Sequence, residues 1–285
     1  MKFLITGASG QLGQEWEKFL TERGATFTAY SSSRLDITNP RQIKEIMKAD
    51  QPDIVLNCAA WTDVDGAERE KERAFEVNSK GVSLLAAACR QTGAKLVHYS
   101  TDYVFGGDAE DEVAYPDGYP EDAPIDPVNV YGESKAEGEK AIREQMEDYL
   151  ILRVSWLCGA RGKNFVKTML KLADTRSEVS VVSDQVGSPA FAIDVVMKSM
   201  KLLENEHTGI FHCSSEGKIS WADFADAIFT FSGKQTAVKR ISTAEYKTDA
   251  KRPEFSLLSK QKLKLAGLQP LNWQLGLRAL LRELE

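Results

Sequence analysis

Short apolar runs alternate with stretches of helical periodicity through the first half of the chain. A short apolar run predicts a strand, and apolar positions three and four residues apart predict a helix. The predicted strands cover residues 2–7, 26–30, 53–60, 95–101 and 150–158. The predicted helices between them cover residues 14–22, 40–49, 73–90 and 129–147. Because the elements alternate and the strands are apolar nearly throughout, we predict an α/β fold with a Rossmann-type, doubly wound parallel sheet.

The second half of the chain alternates less regularly. Residues 106–127 are rich in Asp, Glu, Gly and Pro and predict a long surface loop. Farther on, the predicted strands are 179–182 and 209–213, and the predicted helices are 164–173, 192–204, 220–232 and 272–284. We interpret residues 158–178 and 216–285 as a smaller α+β substrate-binding lobe. Residues 1–157, with part of 179–215, are then the Rossmann domain.

Composition and charge narrow the class of protein. The formal net charge is −6 and the charges are interspersed, which argues against nucleic-acid binding through phosphate neutralisation. No apolar run approaches a membrane span, and the opening MKFLITGASG has no signal-peptide pattern. The cysteines form no close pair and no zinc-ligand spacing with the histidines; they are Cys58, Cys89, Cys158 and Cys213. We therefore expect a soluble, cytoplasmic protein with free thiols and no membrane partner.

Three glycines follow the first predicted strand and open the first helix, in the sequence TGASGQLG. Gly7 is placed for the tight turn, Gly10 for close approach of a pyrophosphate, and Gly13 for packing of the helix on the strand. The N–H groups at the start of the helix attract phosphate. The spacing is similar to that of the short-chain dehydrogenase/reductase superfamily, and we predict a dinucleotide site.

The residues after the second predicted strand bear on the choice of cofactor. An NAD-selective site usually has an acidic residue there, for the ribose diol. Ser32 and Arg34 stand there instead, and an arginine with neighbouring hydroxyl groups suits the 2′-phosphate of NADPH. NADPH is therefore favoured, and the Rossmann domain is interpreted as NADPH-binding. Asp36 lies just beyond, so NADH stays an alternative if the strand ends later than predicted.

A tyrosine and a lysine four residues apart suggest the chemistry. Tyr131 and Lys135 share one face of a predicted helix. Reduction of a ketone needs a proton on oxygen, and a neighbouring ammonium group favours the phenolate and lowers the pKa of a tyrosine. Thr101 ends the fourth predicted strand, where open α/β sheets bind ligands, and its hydroxyl suits a substrate carbonyl. We predict that these three side chains form a catalytic set.

At these residues the chain resembles a known family, the dTDP-4-dehydrorhamnose reductases of the extended short-chain dehydrogenase/reductases. The resemblance runs nearly from end to end, and the blocks are specific only when taken together. They are TGASGQLG, LDIT (35–38), NCAAWTDVDGAE (57–68), VNSKGV (77–82), STDYVFGG (100–107), YGESKAEGE (131–139), LRVSWLCGARGKNFV (152–166), SDQVGSP (183–189) and KRPEFSLLS (251–259).

The resemblance implies further site residues. Those implied for the sugar are Val64, Asp102 and Trp156, with Asn164, Gln185 and Arg252 near the substrate pocket. Those implied along the cofactor, beside the glycines, are Gln11, Leu12, Ile37, Cys58, Ala59, Ala60, Thr62 and Asn78, together with Tyr131 and Lys135. From the residues alone, Trp156 also fits a plain core position, Asn164 a helix N-cap, and Arg252 a surface loop.

The implied activity is NADPH-dependent reduction of the C4 keto group of dTDP-4-dehydro-L-rhamnose, the final step of dTDP-L-rhamnose biosynthesis. Related dehydratases have Thr-Asp-Glu at the Thr101 position, whereas Tyr103 here replaces the glutamate that serves elimination. Sugar C4-epimerases commonly have serine at the Thr101 position. Two alternatives stay open: a reductase of another nucleotide-linked 4-keto sugar, and a non-catalytic, dinucleotide-binding regulatory subunit.

One acidic residue bears on metal binding and assembly. Some members of the family are thought to use carboxylates around a divalent ion at a dimer contact, and Glu15 lies at such a position. From the residues alone, we predict that Glu15 is an ordinary exposed helix residue and assign no metal site. Neither a Mg²⁺ requirement nor a homodimer is decided by the sequence.

Overall fold

The structure is a computed structural model that describes residues 1–285. The strands, in chain order, are β1 Lys2–Thr6, β2 Thr26–Tyr30, β3 Ile54–Asn57, β4 Lys95–Thr101, β5 Tyr149–Val154, β6 Leu157–Cys158, β7 Glu178–Val182, β8 Val186–Gly187, β9 Ala190–Phe191, β10 Gly209–His212, β11 Ile219–Ser220 and β12 Ala237–Ile241. The helices are α1 Gln11–Glu22, α2 Pro40–Asp50, α3 Val64–Arg69, α4 Lys71–Phe75, α5 Val82–Thr92, α6 Asp111–Ala114, α7 Val130–Gln145, α8 Phe165–Ala173, α9 Ala192–Glu204, α10 Trp221–Phe231, α11 Gln261–Leu265 and α12 Trp273–Leu284.

Six strands form one parallel sheet in the order β10-β5-β4-β3-β1-β2. The chain moves outward from β1 to β2 and then crosses back to β3 on the other side of β1. This reversal makes a crevice beyond the carboxyl ends of β1 and β3, where doubly wound sheets bind ligands. The prediction of a Rossmann-type α/β fold is confirmed.

Apolar helix faces cover both sides of this sheet. On one side, α1 and α9 bury Trp16, Phe19 and Val195 against the strands. On the other side, α2, α5 and α7 bury residues such as Ile43 and Ile142. Burial of apolar side chains on both faces explains why the strands are apolar nearly throughout.

A second core lies beside the sheet. Short pairs of strands, β7 with β12, β6 with β9 and β8 with β11, pack with α8, α10 and α12. Phe224 and Ile228 of α10 are at its centre. In contrast, α9 and β10 belong to the core of the large sheet. A division into two domains at the boundaries given above stays a prediction.

Four predicted segments differ from the structure. The predicted surface loop 106–127 contains helix α6, and Tyr119 within it is buried in a small apolar cluster. The predicted strand 53–60 ends at Asn57, so the next residues leave the sheet. The predicted strand 150–158 is broken between β5 and β6 because Trp156 has a φ of 48°, which no strand accommodates. The predicted helix 73–90 contains a π-helical segment, Glu76–Gly81, between α4 and α5. Such segments are often found near functional sites.

The burial of the cysteines and the lengths of the helices bear on two further predictions. Cys89, Cys158 and Cys213 are buried, as predicted, and Cys58 is partly exposed. Burial raises the pKa of the Cys89 thiol to about 12. No helix of the protein is both long enough and apolar enough to cross a bilayer.

Candidate active site

The glycine turn between β1 and α1 is shaped to receive another group. Gly7 has a φ of 63°, and a Cβ there would lie 2.6 Å from the backbone nitrogen of Ala59. At Gly13, a Cβ would collide with the Gly7 carbonyl oxygen. The N-cap of α1 is Gly10, which offers no side-chain acceptor to the first N–H groups of the helix. Those N–H groups suit the pyrophosphate of a dinucleotide.

Two neighbouring cavities lie along the carboxyl ends of the strands. The first has a volume of ≈ 280 Å³ and the second, which we call the reaction cavity, ≈ 620 Å³. Both are lined by the residues that follow β3, namely Cys58, Ala59 and Ala60. The first is also lined by Gly7, Gly10, Ser32, Asp36 and Ile37. The reaction cavity is also lined by Gly10, Gln11, Leu12, Thr62, Tyr131 and Lys135.

Three residues implied for the cofactor do not line either cavity. Gly13 packs α1 on the turn, as described above. Arg34 is exposed, with its guanidinium carbon 5.9 Å from the ring centroid of Tyr30. Asn78 is buried and its amide contacts the Trp61 backbone at 2.9 and 3.0 Å and the Ser134 hydroxyl at 3.0 Å. Asn78 therefore fastens the loop after β3 to helix α7.

Arg73 is a lining residue that sequence reasoning missed. It reaches the first cavity from α4 and pairs with Glu76. Nothing in the local sequence distinguishes it from other charged residues of the segment. Asp36 lines the same cavity, and its Oδ1 accepts hydrogen bonds from Thr38 at 2.9 and 2.8 Å. The cavity thus contains both an acidic and a cationic side chain, and the preference for NADPH over NADH stays a prediction.

Thr101, Tyr131 and Lys135 all line the reaction cavity. Thr101 ends β4, whereas Tyr131 and Lys135 lie one turn apart on α7. The Asn129 side chain caps this helix by accepting a hydrogen bond from the Gly132 N–H at 2.8 Å. The Tyr131 ring lies edge-on to Tyr103, with centroids 5.8 Å apart. The helix cap and the aromatic contact hold the phenol at the cavity wall.

The electrostatics of this set differ from the sequence-based expectation. Burial raises the pKa of Tyr131 to about 12, with the Thr101 hydroxyl acting in the opposite direction. The expected lowering of the Tyr131 pKa by Lys135 is not found. The Lys135 ammonium instead donates to the Tyr99 carbonyl at 2.6 Å. Burial also lowers the pKa of Lys135 to about 8, against the opposing charge of Glu139.

Asp102 is a buried acid at the same strand end. Its Oδ1 accepts a hydrogen bond from the Thr101 hydroxyl at 2.9 Å, and its Oδ2 has no partner within the protein. Burial raises the pKa of Asp102 to about 7, although hydrogen bonds oppose the shift. A carboxyl group that is half protonated near neutral pH can donate as well as accept a hydrogen bond. This suits it to a sugar hydroxyl.

Asp102 should therefore make stability depend on pH. Between about pH 4, where an unfolded aspartate titrates, and about pH 7, the folded protein holds a proton that the unfolded chain releases. Raising the pH through this window lowers stability. We expect Asp102→Asn to be more stable than the parent at pH 8, with the difference shrinking toward pH 4. Melting temperatures of both proteins across this range test it; a pH-independent difference would contradict it.

The residues implied for the substrate fall in two places. Val64, Asp102 and Trp156 line the reaction cavity. Gln185 and Arg252 line a further cavity of ≈ 230 Å³, which we call the side cavity. Tyr103 and Trp221 line both cavities, so the two adjoin at these rings. Phe165, Met169 and Tyr246 also line the side cavity. Sequence reasoning did not single out Phe165, Met169, Trp221 or Tyr246. Apolar residues on α8 and α10 fit plain core positions, and Tyr246 lies in no predicted element.

Two of these side chains have unusual surroundings. The Trp156 indole stacks on Trp221, with centroids 3.7 Å apart and planes at 13°. This stack holds Trp156 in its left-handed backbone conformation, which a bulky residue rarely adopts. Arg252 donates from both terminal nitrogens to Asp65, at 3.0 and 2.7 Å. Hydrogen bonding by Arg252 is the main reason that the pKa of Asp65 falls to about 2.

Asn164 lies outside both cavities. Its Oδ1 caps α8 by accepting from the Lys167 N–H at 3.1 Å, which matches the helix N-cap interpretation. Its Nδ2 donates to Gln11 Oε1 at 2.8 Å and to the Gly159 carbonyl at 2.7 Å. Since Gln11 lines the reaction cavity, Asn164 bears on that cavity through Gln11.

The prediction that Glu15 is exposed is wrong. Glu15 is only 2% exposed and lies on the face of α1 that also buries Trp16 and Phe19. Helix α9 packs beside α1, and Lys18 pairs with Glu283 of α12 at 2.6 Å. Burial raises the pKa of Glu15, and its Oε1 has no partner within the chain. No group of three or more His, Cys, Asp or Glu side chains gathers in a way that could hold a metal ion.

Comparisons with known proteins agree with this geometry. The whole chain, residues 1–285, matches the family model described as RmlD substrate binding domain. The spore coat polysaccharide biosynthesis protein SpsK of Bacillus subtilis is 42% identical over 282 residues, which cover 99% of this chain and 97% of that protein. The dTDP-4-dehydrorhamnose reductase of Aggregatibacter actinomycetemcomitans is 41% identical over 292 residues, which cover 97% of each chain.

A solved structure gives the same result. The dTDP-4-dehydrorhamnose reductase of Bacillus anthracis, crystallised in complex with NADP, has a TM-score of 0.94 and 39% identity over 99% of each chain. Both the sequence matches and this structural match extend over nearly the full length. The chain therefore belongs to the RmlD substrate binding domain family, that of the dTDP-4-dehydrorhamnose reductases.

Proposed function

We propose that this protein reduces the C4 keto group of dTDP-4-dehydro-L-rhamnose with NADPH, giving dTDP-L-rhamnose. The observation that carries the proposal is the meeting of Thr101, Tyr131 and Lys135 in one cavity, beside the glycine turn. Two of the named relatives are dTDP-4-dehydrorhamnose reductases, and the one from Bacillus anthracis was crystallised in complex with NADP. These findings support the same cofactor and the same substrate for this chain.

In this proposal each residue of the catalytic set has a separate role in the reduction. The bound cofactor supplies hydride; the glycine turn, Ala59 and Lys135 would hold it. Tyr131 gives its phenolic proton to the C4 oxygen, and it is reliably protonated at neutral pH because burial raises its pKa to about 12. The Thr101 hydroxyl, which donates to Asp102 in this structure, would turn to donate to the same oxygen and orient it. Lys135 brings a buried ammonium group to the wall of the same cavity, where it would bind the cofactor; it is not among the groups that shift the pKa of Tyr131.

The nucleotide end of the substrate is assigned to the side cavity. Phe165, Trp221 and Tyr246 provide flat aromatic walls for a base, and Gln185 provides an amide. Arg252 lies at the wall of this cavity, where its planar guanidinium suits a diphosphate. The sugar would then extend past Tyr103 into the reaction cavity.

The proposal is tested by NADPH oxidation with dTDP-4-dehydro-L-rhamnose, generated in the same cuvette by the upstream enzymes. The expected result is a loss of NADPH absorbance that requires the sugar. If NADPH binds but is not oxidised, a panel of other nucleotide-linked keto sugars is tested next. Inactivity with the whole panel, together with stable co-purification with another enzyme, would favour the regulatory-subunit alternative.

Arg252 gives a test of the substrate's orientation. We expect Arg252→Gln to weaken dTDP binding and raise KM for the nucleotide sugar by about ten- to a hundred-fold, because one charge-assisted interaction is lost. The kcat should change much less. Titration with dTDP measures the effect directly. Lys251→Gln is the matched control, since the Lys251 side chain is exposed and pairs only with Asp108. Equal weakening in both variants would contradict the assignment.

Location and assembly extend this proposal. We assign the protein to the cytoplasm, where NADPH and nucleotide sugars are available and its four thiols would stay reduced. The sequence decides neither a homodimer nor a Mg²⁺ requirement, and no metal is assigned to Glu15. Light scattering on the purified protein, with and without Mg²⁺, measures both.

A further inference from the structure

A row of buried polar side chains crosses three strands beneath the cofactor turn. Thr6 of β1 is in register with Asn57 of β3, which is in register with His98 of β4. All three are buried. The strands around them are otherwise apolar, so a polar row at this depth is costly unless its members satisfy one another.

The row connects the catalytic helix to the glycine turn. His98 Nε2 lies 3.3 Å from Lys135 Nζ, and His98 Nδ1 lies 3.0 Å from the nitrogen Nδ2 of the Asn57 amide. The other end of that amide lies 2.7 Å from the Thr6 hydroxyl, which accepts a hydrogen bond from the Ala59 N–H at 3.4 Å. Thr6 precedes Gly7, so the row ends directly under the turn.

Hydrogen-bond chemistry allows the row two self-consistent arrangements. A charged Lys135 can only donate, so His98 Nε2 must accept, Nδ1 must carry the hydrogen, and Asn57 must turn its oxygen toward Nδ1. If Asn57 turns its nitrogen toward Nδ1 instead, Nε2 carries the hydrogen and Lys135 must accept in its neutral form. The charge on Lys135 is therefore tied to the tautomer of His98 and the orientation of Asn57. In the structure Asn57 turns its Nδ2 toward Nδ1, so the first arrangement requires a half-turn of this amide about its Cβ–Cγ bond.

We infer that His98 is a positioning residue for the proposed reduction: with the Asn57 oxygen turned toward Nδ1, its neutral imidazole accepts a hydrogen bond from Lys135 and thereby holds the ammonium in place and in its charged form. The inference rests on the proposed function for its kinetic part only. No other buried side chain contacts the Lys135 nitrogen within hydrogen-bonding distance, since its second partner is the Tyr99 carbonyl.

The electrostatic surroundings agree with a neutral acceptor. Burial, and then the Lys135 charge, hold the pKa of His98 well below its usual range. The titratable groups near Lys135 are Tyr131 and Glu139 on its own helix, His98 and Asp102 from β4 and the turn after it, and Cys58 after β3. Of these, Glu139 favours the charged lysine, whereas burial opposes it.

The kinetic test compares two substitutions at His98. His98→Leu removes the acceptor, so the charged lysine is less favoured and the basic limb of the pH–kcat profile should move down by about one pH unit. At pH 8, kcat should fall by about five-fold, because the charged fraction of Lys135 drops from about one half to about one eleventh, and NADPH should bind more weakly in a direct fluorescence titration. His98→Gln places an acceptor near the Nε2 position and should restore most of both values. His207→Gln, at a half-buried histidine away from the site, is the matched control.

The outcomes separate positioning from packing. If His98→Leu keeps the parent pH profile and NADPH affinity, or if His98→Gln loses as much as His98→Leu, the inference is overturned. Because NADPH binding needs no sugar, this result is independent of whether the proposed substrate is the right one.

A spectroscopic measurement covers the case in which His98→Leu does not fold. Long-range ¹H–¹⁵N correlation spectra of the unmodified protein report the tautomer of His98. We expect the Nδ1–H tautomer near neutral pH, where Lys135 is mostly charged. The Nε2–H tautomer, or a charged imidazole, at that pH would overturn the inference.

Discussion

Replacing Tyr131 by phenylalanine should lower kcat by about 10²- to 10⁴-fold, the usual contribution of a general acid. The phenylalanine keeps the ring that packs edge-on against Tyr103 and removes only the hydroxyl. The glycine turn and Lys135 are untouched, so NADPH affinity should stay close to that of the parent. Loss of kcat without loss of cofactor binding is the signature of an interaction made in the transition state. Stopped-flow and steady-state rates, with a parallel NADPH titration, measure the two quantities.

The control for this result is the same substitution at a tyrosine of the sheet. The Tyr149→Phe variant changes a side chain at the amino end of β5, which packs against the core on the α2, α5 and α7 side, away from both cavities. It should retain the parent kcat. If Tyr131→Phe retains it as well, Tyr131 is not the acid, and the proposed division of roles in the reaction cavity is wrong.

The second large effect concerns the buried ion pair between Glu139 and Arg153. The side chains are 1% and 0% exposed, and Arg153 donates to both carboxylate oxygens, at 2.9 and 2.7 Å. Arg153 also donates to the Glu121 carbonyl at 3.0 Å. Removing one partner leaves a buried charge without compensation. We expect Glu139→Leu or Arg153→Leu alone to lower the free energy of unfolding by about 3–5 kcal/mol.

The double variant distinguishes destabilisation by an unpaired buried charge from destabilisation by a cavity. When both charges are replaced by leucine, no unpaired ion is left, and much of the lost stability should return. Urea denaturation of the parent, both single variants and the double variant gives the coupling free energy. Additive costs in the double variant would show that the two side chains act independently. Glu139 lies two turns after Tyr131, so the single variants should also lose activity through displacement of α7.

The elements that the sequence predicts well are those whose signal is local. The strand 95–101 and the helix 192–204 match the structure at both ends, because each is an apolar pattern closed by a change of residue type. Thr101, Tyr131 and Lys135 could be brought together in advance, because a strand end and a helix face suffice to place them. The two-sided burial of the sheet follows from the same local patterns.

The elements that the sequence predicts poorly depend on distant partners. The break at Trp156 arises from its stack on Trp221, which is far along the chain. Glu15 has the sequence context of an exposed residue, yet α9 and the end of α12 cover its helix. Arg34 suits a phosphate by position, whereas Arg73 lines the cavity because α4 folds over it. Each case needs knowledge of which segments pack together, which a helical or strand period does not contain.

Because the two cavities adjoin but differ in their lining, substitutions could change the nucleotide preference without changing the reaction. The catalytic set of the reaction cavity lies on β4 and α7, and α7 is tied to the core by the ion pair between Glu139 and Arg153. The side cavity is lined mainly by residues of α8, β7 and α10 and by Tyr246 and Arg252. If the nucleotide binds in the side cavity as proposed, substitutions in these outer segments would alter which nucleotide is bound and leave Tyr131 in place. Related proteins with this fold can therefore differ in the nucleotide that they bind and keep the same catalytic residues.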